Sequence, residues 1–332
     1  MDIAHTQTDK ALKSLEKRLK KEYKQAAKEC QQKLADHLAA FAQKDREWQL
    51  MLQQGKVSAQ EYLNWRTGQI MTGQRWQAMV DTLADDLHNV NEIAAAMARD
   101  DAYAVYAMNY NYGTYVLEHK SRVDTSFTLY NQDAVRRLAR DNPKLLPDPR
   151  PDSRLGKILA ANKDLRWQKK QINSVMIQGI TQGESIDKMA RRITDVAYAD
   201  YTSAVRYART MFTGVENKAR QDAGERARDL GLDVSYQWNA ILDQRTRHSH
   251  RHLNGETKKY KNDTFSNGLE YPGDTSGEPE EWWNCRCYMS EEFEGITRED
   301  VRTSPYLGDM SYEEWLDAKP MSAEKQKEWL YG

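Results

Sequence analysis

An apolar stripe near the start constrains this chain more than any other feature. Leu12, Leu15, Leu19, Tyr23, Ala26, Cys30, Leu34, Leu38, Phe41, Trp48 and Leu52 follow one another mostly in steps of three and four. That spacing keeps one face of an α-helix apolar over about 40 residues. No Pro or Gly interrupts it, and Gly55 stands where a helix can stop. Asp9 is the expected N-cap. A stripe this long predicts a helical arm or coiled-coil-like hairpin rather than a short helix in a globular core. Ser58, with Glu61 three residues on, reads as a capping box. It should open a second helix through Tyr62, Trp65, Ile70, Met79, Leu83, Leu87 and Met97, packed antiparallel on the first. Cys30 lies on the apolar face and is expected to be a small core residue.

Composition agrees with long exposed helices. The chain has 332 residues, 39% hydrophobic and 30% charged, with a mean hydropathy of −0.90. Nine Trp argue against disorder. No apolar run approaches the ~20 residues of a membrane span, so no membrane partner is expected. The first residues lack a charged-then-apolar export pattern. Three cysteines exclude a fully paired disulfide framework and suit a reducing compartment such as a cytoplasm. The formal net charge of −1 hides polarity along the chain: +4 over residues 1–28, +6 over 118–170 and −8 over 278–332. Such asymmetry fits either solvated helix faces or a partner that is a polyanion or a charged protein surface.

Tyr103, Tyr106, Tyr110, Tyr112 and Tyr115 follow at helical spacing, which favours packing against the arm over stacking on nucleic-acid bases. A short helix is predicted at 131–140. Four of the eight prolines then fall within 142–151. This is the expected linker and boundary. Helices are predicted again from 153 to 230, with Gly231 at the C′ position. The stretch from Val234 to Ile241 alternates as a strand does. The expected fold is therefore a mainly α N-terminal region with long helices and a small C-terminal α+β module. Its expected divisions are an arm at 1–142, a linker at 143–152, helices plus module at 153–295 and an acidic tail at 296–332.

The module holds the chemically interesting residues. Asp243, Arg245, Thr246, Arg247, His250, His252, Asn254 and Gly255 lie close together, and Asn284, Cys285, Arg286 and Cys287 follow some thirty residues on. Three readings compete. His250 or His252 with Cys285 and Cys287 would suit structural zinc, although Cys-x-Cys is tighter than the usual spacing. A histidine with Asp243 or Glu256 could serve hydrolysis, although no His-Glu-x-x-His signature is present. The third reading is structural: arginine forks and Asn254 tie loops together, and the cysteines fill space.

The run Asp243-x-Arg245-Thr246-Arg247-x-x-His250-x-x-Leu253-Asn254-Gly255, followed by Asn284-Cys285-Arg286-Cys287, resembles phage minor head proteins of the Mu protein F type. The upstream helix around Tyr207-Ala208-Arg209-Thr210, leading to Glu216 and Asn217, is also similar, with Met211 where the family usually has Glu. The likeness covers about 200–292. It implies a non-enzymatic minor capsid protein of the virion, inside the head at the portal vertex, assembled in the host cytoplasm. The implied work is head morphogenesis, DNA packaging or DNA ejection. The implied partners are the portal protein, then major capsid or scaffolding protein, and DNA. It also implies Asp243, Arg245, Thr246, Arg247, His250, Asn254, Gly255, Asn284 and Arg286 as organisers of the module. The rival is a metal-dependent nuclease or toxin-like effector carried in the head.

Overall fold

The computed structural model describes residues 2–71, 74–125, 129–141, 165–181, 186–298, 301 and 303–319. The apolar stripe becomes helix α1 (Ile3–Gln53). It starts earlier than expected. Asp2, not Asp9, caps it, its carboxylate accepting the His5 amide at 2.8 Å. Asp9 lies six residues inside the helix, where the amide hydrogen bonds are already satisfied within it. The stop is as read: Gly55 takes φ +69°, and the amides of Gly55 and Lys56 turn back onto the carbonyls of Leu52 and Met51. Ser58 and Glu61 form their capping box and open α2 (Ala59–Met71). The expected second helix continues beyond residues 72–73, which lie outside the described residues, as α3, from Gln74 to Ser121. Further helices are α4 (Gln132–Asp141), α5 (Leu165–Thr181) and α6 (Ile186–Asp229). The Asn131 side chain caps α4 through the Ala134 amide. The Pro-rich segment 143–152 and the end of the acidic tail, 320–332, lie outside the described residues.

The chain divides into two compact units that are each discontinuous in sequence. Helices α1, α3 and α6 each give residues to both.

One unit comprises residues 17–94 and 158–205, and its described regular elements are all helices. Its core is the stripe itself: Ala26, Cys30, Leu34 and Leu38 of α1 meet Val80, Leu83 and Leu87 of α3 and Ile172, Met189 and Ile193 of α5 and α6. Lys33 pairs with Asp86 at 2.6 Å, and Tyr23 bonds Asn91, so α3 descends as α1 rises. Antiparallel packing, expected from the sequence, is what forms. Each fully buried Leu contributes roughly 1.5–3 kcal/mol. Cys30 is filler, as its position on the stripe implied. Beyond this core, Trp65 of α2 stacks on Trp48 and Phe41 of α1.

The other unit comprises residues 1–16, 95–157 and 206–332. It holds a three-stranded antiparallel sheet ordered β2-β1-β3, with β1 Leu232–Asn239, β2 Thr257–Lys258 and β3 Tyr288–Ile296. Leu232, Val234, Tyr236 and Trp238 are the buried side of β1, the alternation the sequence displays. The Tyr236 hydroxyl reaches Glu225 at 2.9 Å and the Gln221 carbonyl at 3.0 Å, which seats the sheet on α6. Gly224 leaves the room that this ring needs.

The tyrosines of α3 are packing residues here. Tyr106 bonds Asp222 of α6 at 2.8 Å. Tyr112 packs with Ala4 of α1, and Tyr112 and Tyr115 meet Tyr312. Tyr312 opens helix α9 (Tyr312–Ala318), named here after α7 and α8, which are His248–Leu253 and Pro279–Trp282. The partners are thus mainly α6 and the C-terminal segment, with the arm contributing only its first turn. Part of the expected acidic tail folds: Trp315 is buried and donates to Glu118 at 2.6 Å, and Lys319 pairs with the same carboxylate.

Candidate functional site: a buried histidine–dithiol cluster

The segment from Asn284 to Met289 lies along α6 and is fastened by one face of that helix. Arg209 donates to the Asn284 side chain at 2.8 Å, and Thr210 accepts the Asn284 amide at 2.8 Å. Thr213 donates to the Cys285 carbonyl at 2.9 Å. Asn217 donates to the Cys287 carbonyl at 3.3 Å and accepts the Met289 amide at 2.6 Å. Positions 209, 210, 213 and 217 share a helical face, so one helix reads out the backbone of one extended segment. Asn284 takes φ +56°, a left-handed conformation that Asn tolerates better than most side chains. Met211, standing where the resembled family has Glu, is buried.

Two cysteines and one histidine converge at the end of this segment. His250 on α7 is 2% exposed. Its Nδ1 lies 3.6 Å from Cys285 Sγ and 3.4 Å from Cys287 Sγ. All three donor atoms fall within 4.8 Å of one another. Its other nitrogen, Nε2, is 3.1 Å from Glu281 Oε2. That same oxygen accepts from Ser249 and Asn267, each at 3.1 Å. The Cys287 amide points at Cys285 Sγ, 3.4 Å away. The neighbouring Cys285 and His250 side chains hold the Cys287 thiol below its ordinary range, against burial. Cys285, beside Cys287 and fully buried, moves up. Trp238 packs edge-on against the His250 ring.

The remaining motif residues build the loops around the cluster. Asp243 accepts the Arg245 amide at 2.8 Å, and the Thr246 hydroxyl accepts the Asp243 amide at 3.0 Å. Arg286 clamps Asp243 through two bonds of 2.6 and 2.7 Å and holds its carboxyl well below the usual range. Arg247 donates to the Trp283 carbonyl, tying the start of α7 to the cysteine segment. Asn254 accepts the Ala240 amide at 3.0 Å. Gly255 takes φ +87° and donates to Trp238. Arg245 is exposed. His252 does not join the cluster: it is exposed, and its Nε2 lies 3.3 Å from that of His248.

Two features escaped the sequence reading. Glu281 was not singled out as the partner of His250, because a contact between residues 31 apart in sequence leaves no spacing signal. A buried charge cluster was also missed. Arg220 of α6 is wholly buried and forks onto Asp2. It also donates to the Met289 carbonyl at 2.9 Å and faces Glu291 at 3.5 Å and Glu216 at 4.0 Å. His5 sits on Glu216 at 3.0 Å. The available signal was Glu216 and Arg220, opposite charges four residues apart on one helix face.

Comparison with known proteins returns one family and a distant relative. Residues 170–290 match the family described as phage Mu protein F like protein. A protein of Enterococcus faecalis named NAD(+)–arginine ADP-ribosyltransferase EFV is 29% identical over 205 residues. That match spans 60% of this chain and 40% of the relative. A match of 205 residues fits neither before position 170 nor after 290, so it includes part of the family segment. No solved structure matches the chain. The family segment takes in α6, β1, α7, β2, α8 and the start of β3, and so every residue of the cluster. Residues 170–290, about a third of the chain, are thus similar to the phage Mu protein F-like family.

Proposed function

We propose that this chain is a minor structural component of a phage head, held at the portal vertex and acting in head assembly, DNA packaging or ejection. The observation that carries this reading is the family match over 170–290, together with the use that segment makes of its motif residues. Asp243, Thr246, Arg247, Asn254, Asn284 and Arg286 are all committed to holding loops and backbone in place. This supports a module built for shape rather than for turnover. The portal is the first partner proposed. DNA ranks behind it, because Lys120, Arg136 and Lys169 from the basic stretch 118–170 are paired with Glu292, Asp100 and Asp81. The test is co-purification with portal oligomers, and detection in isolated heads by mass spectrometry. A chain that ignores assembled portal and is missing from heads sinks the proposal.

The named activity of the Enterococcus relative supplies a second reading, since 29% identity over 205 residues extends to this chain. Incubation with NAD⁺ and an arginine acceptor, and with plasmid DNA plus Mg²⁺ or Zn²⁺, covers both that reading and a nuclease. No nicotinamide release and no nicking are expected. Activity abolished by His250→Ala with the fold retained would replace the structural reading.

A further inference from the structure

The two cysteines and His250 pose a hydrogen-bonding problem. A neutral imidazole offers one acceptor lone pair. Glu281, Ser249 and Asn267 meet at one carboxylate oxygen, and a carboxylate only accepts, so Nε2 must carry the proton that it donates to Glu281. Nδ1 is then the lone-pair side, and it faces two sulfur atoms at nearly equal distance, 3.6 and 3.4 Å. One lone pair cannot accept from two thiols. A cation between the three atoms resolves this, because each then contributes its own lone pair.

The spacing fits such an ion. Zn–S bonds of about 2.3 Å and a Zn–N bond of about 2.05 Å at tetrahedral angles place S and N about 3.6 Å apart. The observed pair of distances brackets that value. Thiolate plus imidazole donors, all buried, select a borderline-soft metal over calcium or magnesium. Glu281 supports the imidazole from behind, the arrangement that fixes tautomer and ring orientation in metal-binding histidines. The Cys287 amide aimed at Cys285 Sγ is the kind of donor that stabilises a bound thiolate.

We propose that His250 Nδ1, Cys285 Sγ and Cys287 Sγ hold one zinc ion, with Glu281 orienting the histidine. Among the described residues no fourth His, Cys, Asp or Glu joins the group, so water or a small anion fills the fourth corner. The ion is a cross-link. It ties α7, in the connection between β1 and β2, to the segment entering β3, and closes the loop from 250 to 285. Metal-linked loop closure of this kind couples binding to folding. His252 is not a ligand. It forms a separate exposed pair with His248 that could take up metal adventitiously.

The full chain, expressed in zinc-supplemented medium and purified without a histidine tag, should carry one equivalent of zinc by elemental analysis. The double variant His248→Ala, His252→Ala should carry the same. Cobalt-substituted chain should show thiolate-to-cobalt charge transfer and the intense visible bands of a tetrahedral site. Both should vanish in Cys285→Ser and Cys287→Ser, and chelation of the wild type should lower its Tm and make two further thiols reactive. Should those variants fail to fold, the wild-type cobalt spectrum and thiol count decide alone. Folded chain free of metal and unaltered by added zinc overturns the proposal. So does metal that disappears with His248 and His252, or a cobalt spectrum without thiolate bands.

Discussion

Replacing Arg220 with Met tests the buried charge cluster most directly. Met keeps an unbranched chain in the space that Arg220 fills and removes the cation. Arg220 has no exposed surface. The substitution deletes the fork onto Asp2 and the bond to the Met289 carbonyl, and takes from Glu291, also buried, the guanidinium 3.5 Å away, leaving it only the weaker pull of Lys120. Removing one partner of a buried ion pair costs about 3–5 kcal/mol, and a charged hydrogen bond is worth about 1.5–3 kcal/mol. We expect about 4 kcal/mol lost at pH 8. The loss should shrink in acid, to about 2 kcal/mol near pH 5, because the stranded carboxylates can then take up protons. Amide hydrogen exchange followed by mass spectrometry on peptides from 232–239 and 288–296 reads the opening free energy of this unit alone. A change below about 1 kcal/mol at both pH values, the scale of an exposed pair, refutes the reasoning. So does a penalty that grows toward acid.

Three further outcomes follow from named contacts. Burial pushes the Glu291 carboxyl up to about 7 from 4.5, against the pull of Arg220. The folded state therefore binds this proton more tightly than the unfolded chain. The corresponding stabilisation is complete below pH 4.5 and is lost as pH rises through 7, about 3 kcal/mol in all. His5, raised because the Glu216 charge outweighs burial, adds to the same decline above 6.5, whereas Asp2, held low by Arg220 despite its burial, acts only in strong acid. Glu291→Gln should flatten the pH profile of urea unfolding between 5 and 8, and an unchanged slope would refute this. Gly273 has φ +84°, and a Cβ there would lie 2.6 Å from the Gly214 backbone nitrogen. Gly273→Ala should destabilise the sheet-containing unit by roughly 3 kcal/mol, seen as a lowered Tm; a neutral result would mean that the loop does not press on α6. Leu34→Ala in the helical unit should cost about 2–5 kcal/mol and accelerate exchange in peptides from 26–38 and 80–87, while the 232–239 peptide stays unchanged. Equal acceleration in both would show that the two units open together.

The amino-acid sequence determined the local structure where the physical signal is local. The stripe from Leu12 to Leu38 specifies a long helix and its buried face, because helical periodicity needs no knowledge of the partner. Gly55, the Ser58–Glu61 box and Gly231 mark ends for the same reason: a capping bond or a positive φ is settled within a few residues. The alternation in β1 is equally local. Motif residues also pointed to the right module, since Asp243 through Gly255 and Asn284 through Cys287 do meet. Tertiary structure decided what a linear reading could not. It placed His250 rather than His252 beside the cysteines, because two successive steps along α7 turn about 200° and carry one ring inward and the other out to solvent. It supplied Glu281, and it drew Asp2, Glu216, Arg220 and Glu291 together from three elements. It broke the chain into two discontinuous units through which α1, α3 and α6 all pass. Such pairings depend on which helix face meets which backbone across tens or hundreds of residues, and that choice is made by packing, not by spacing.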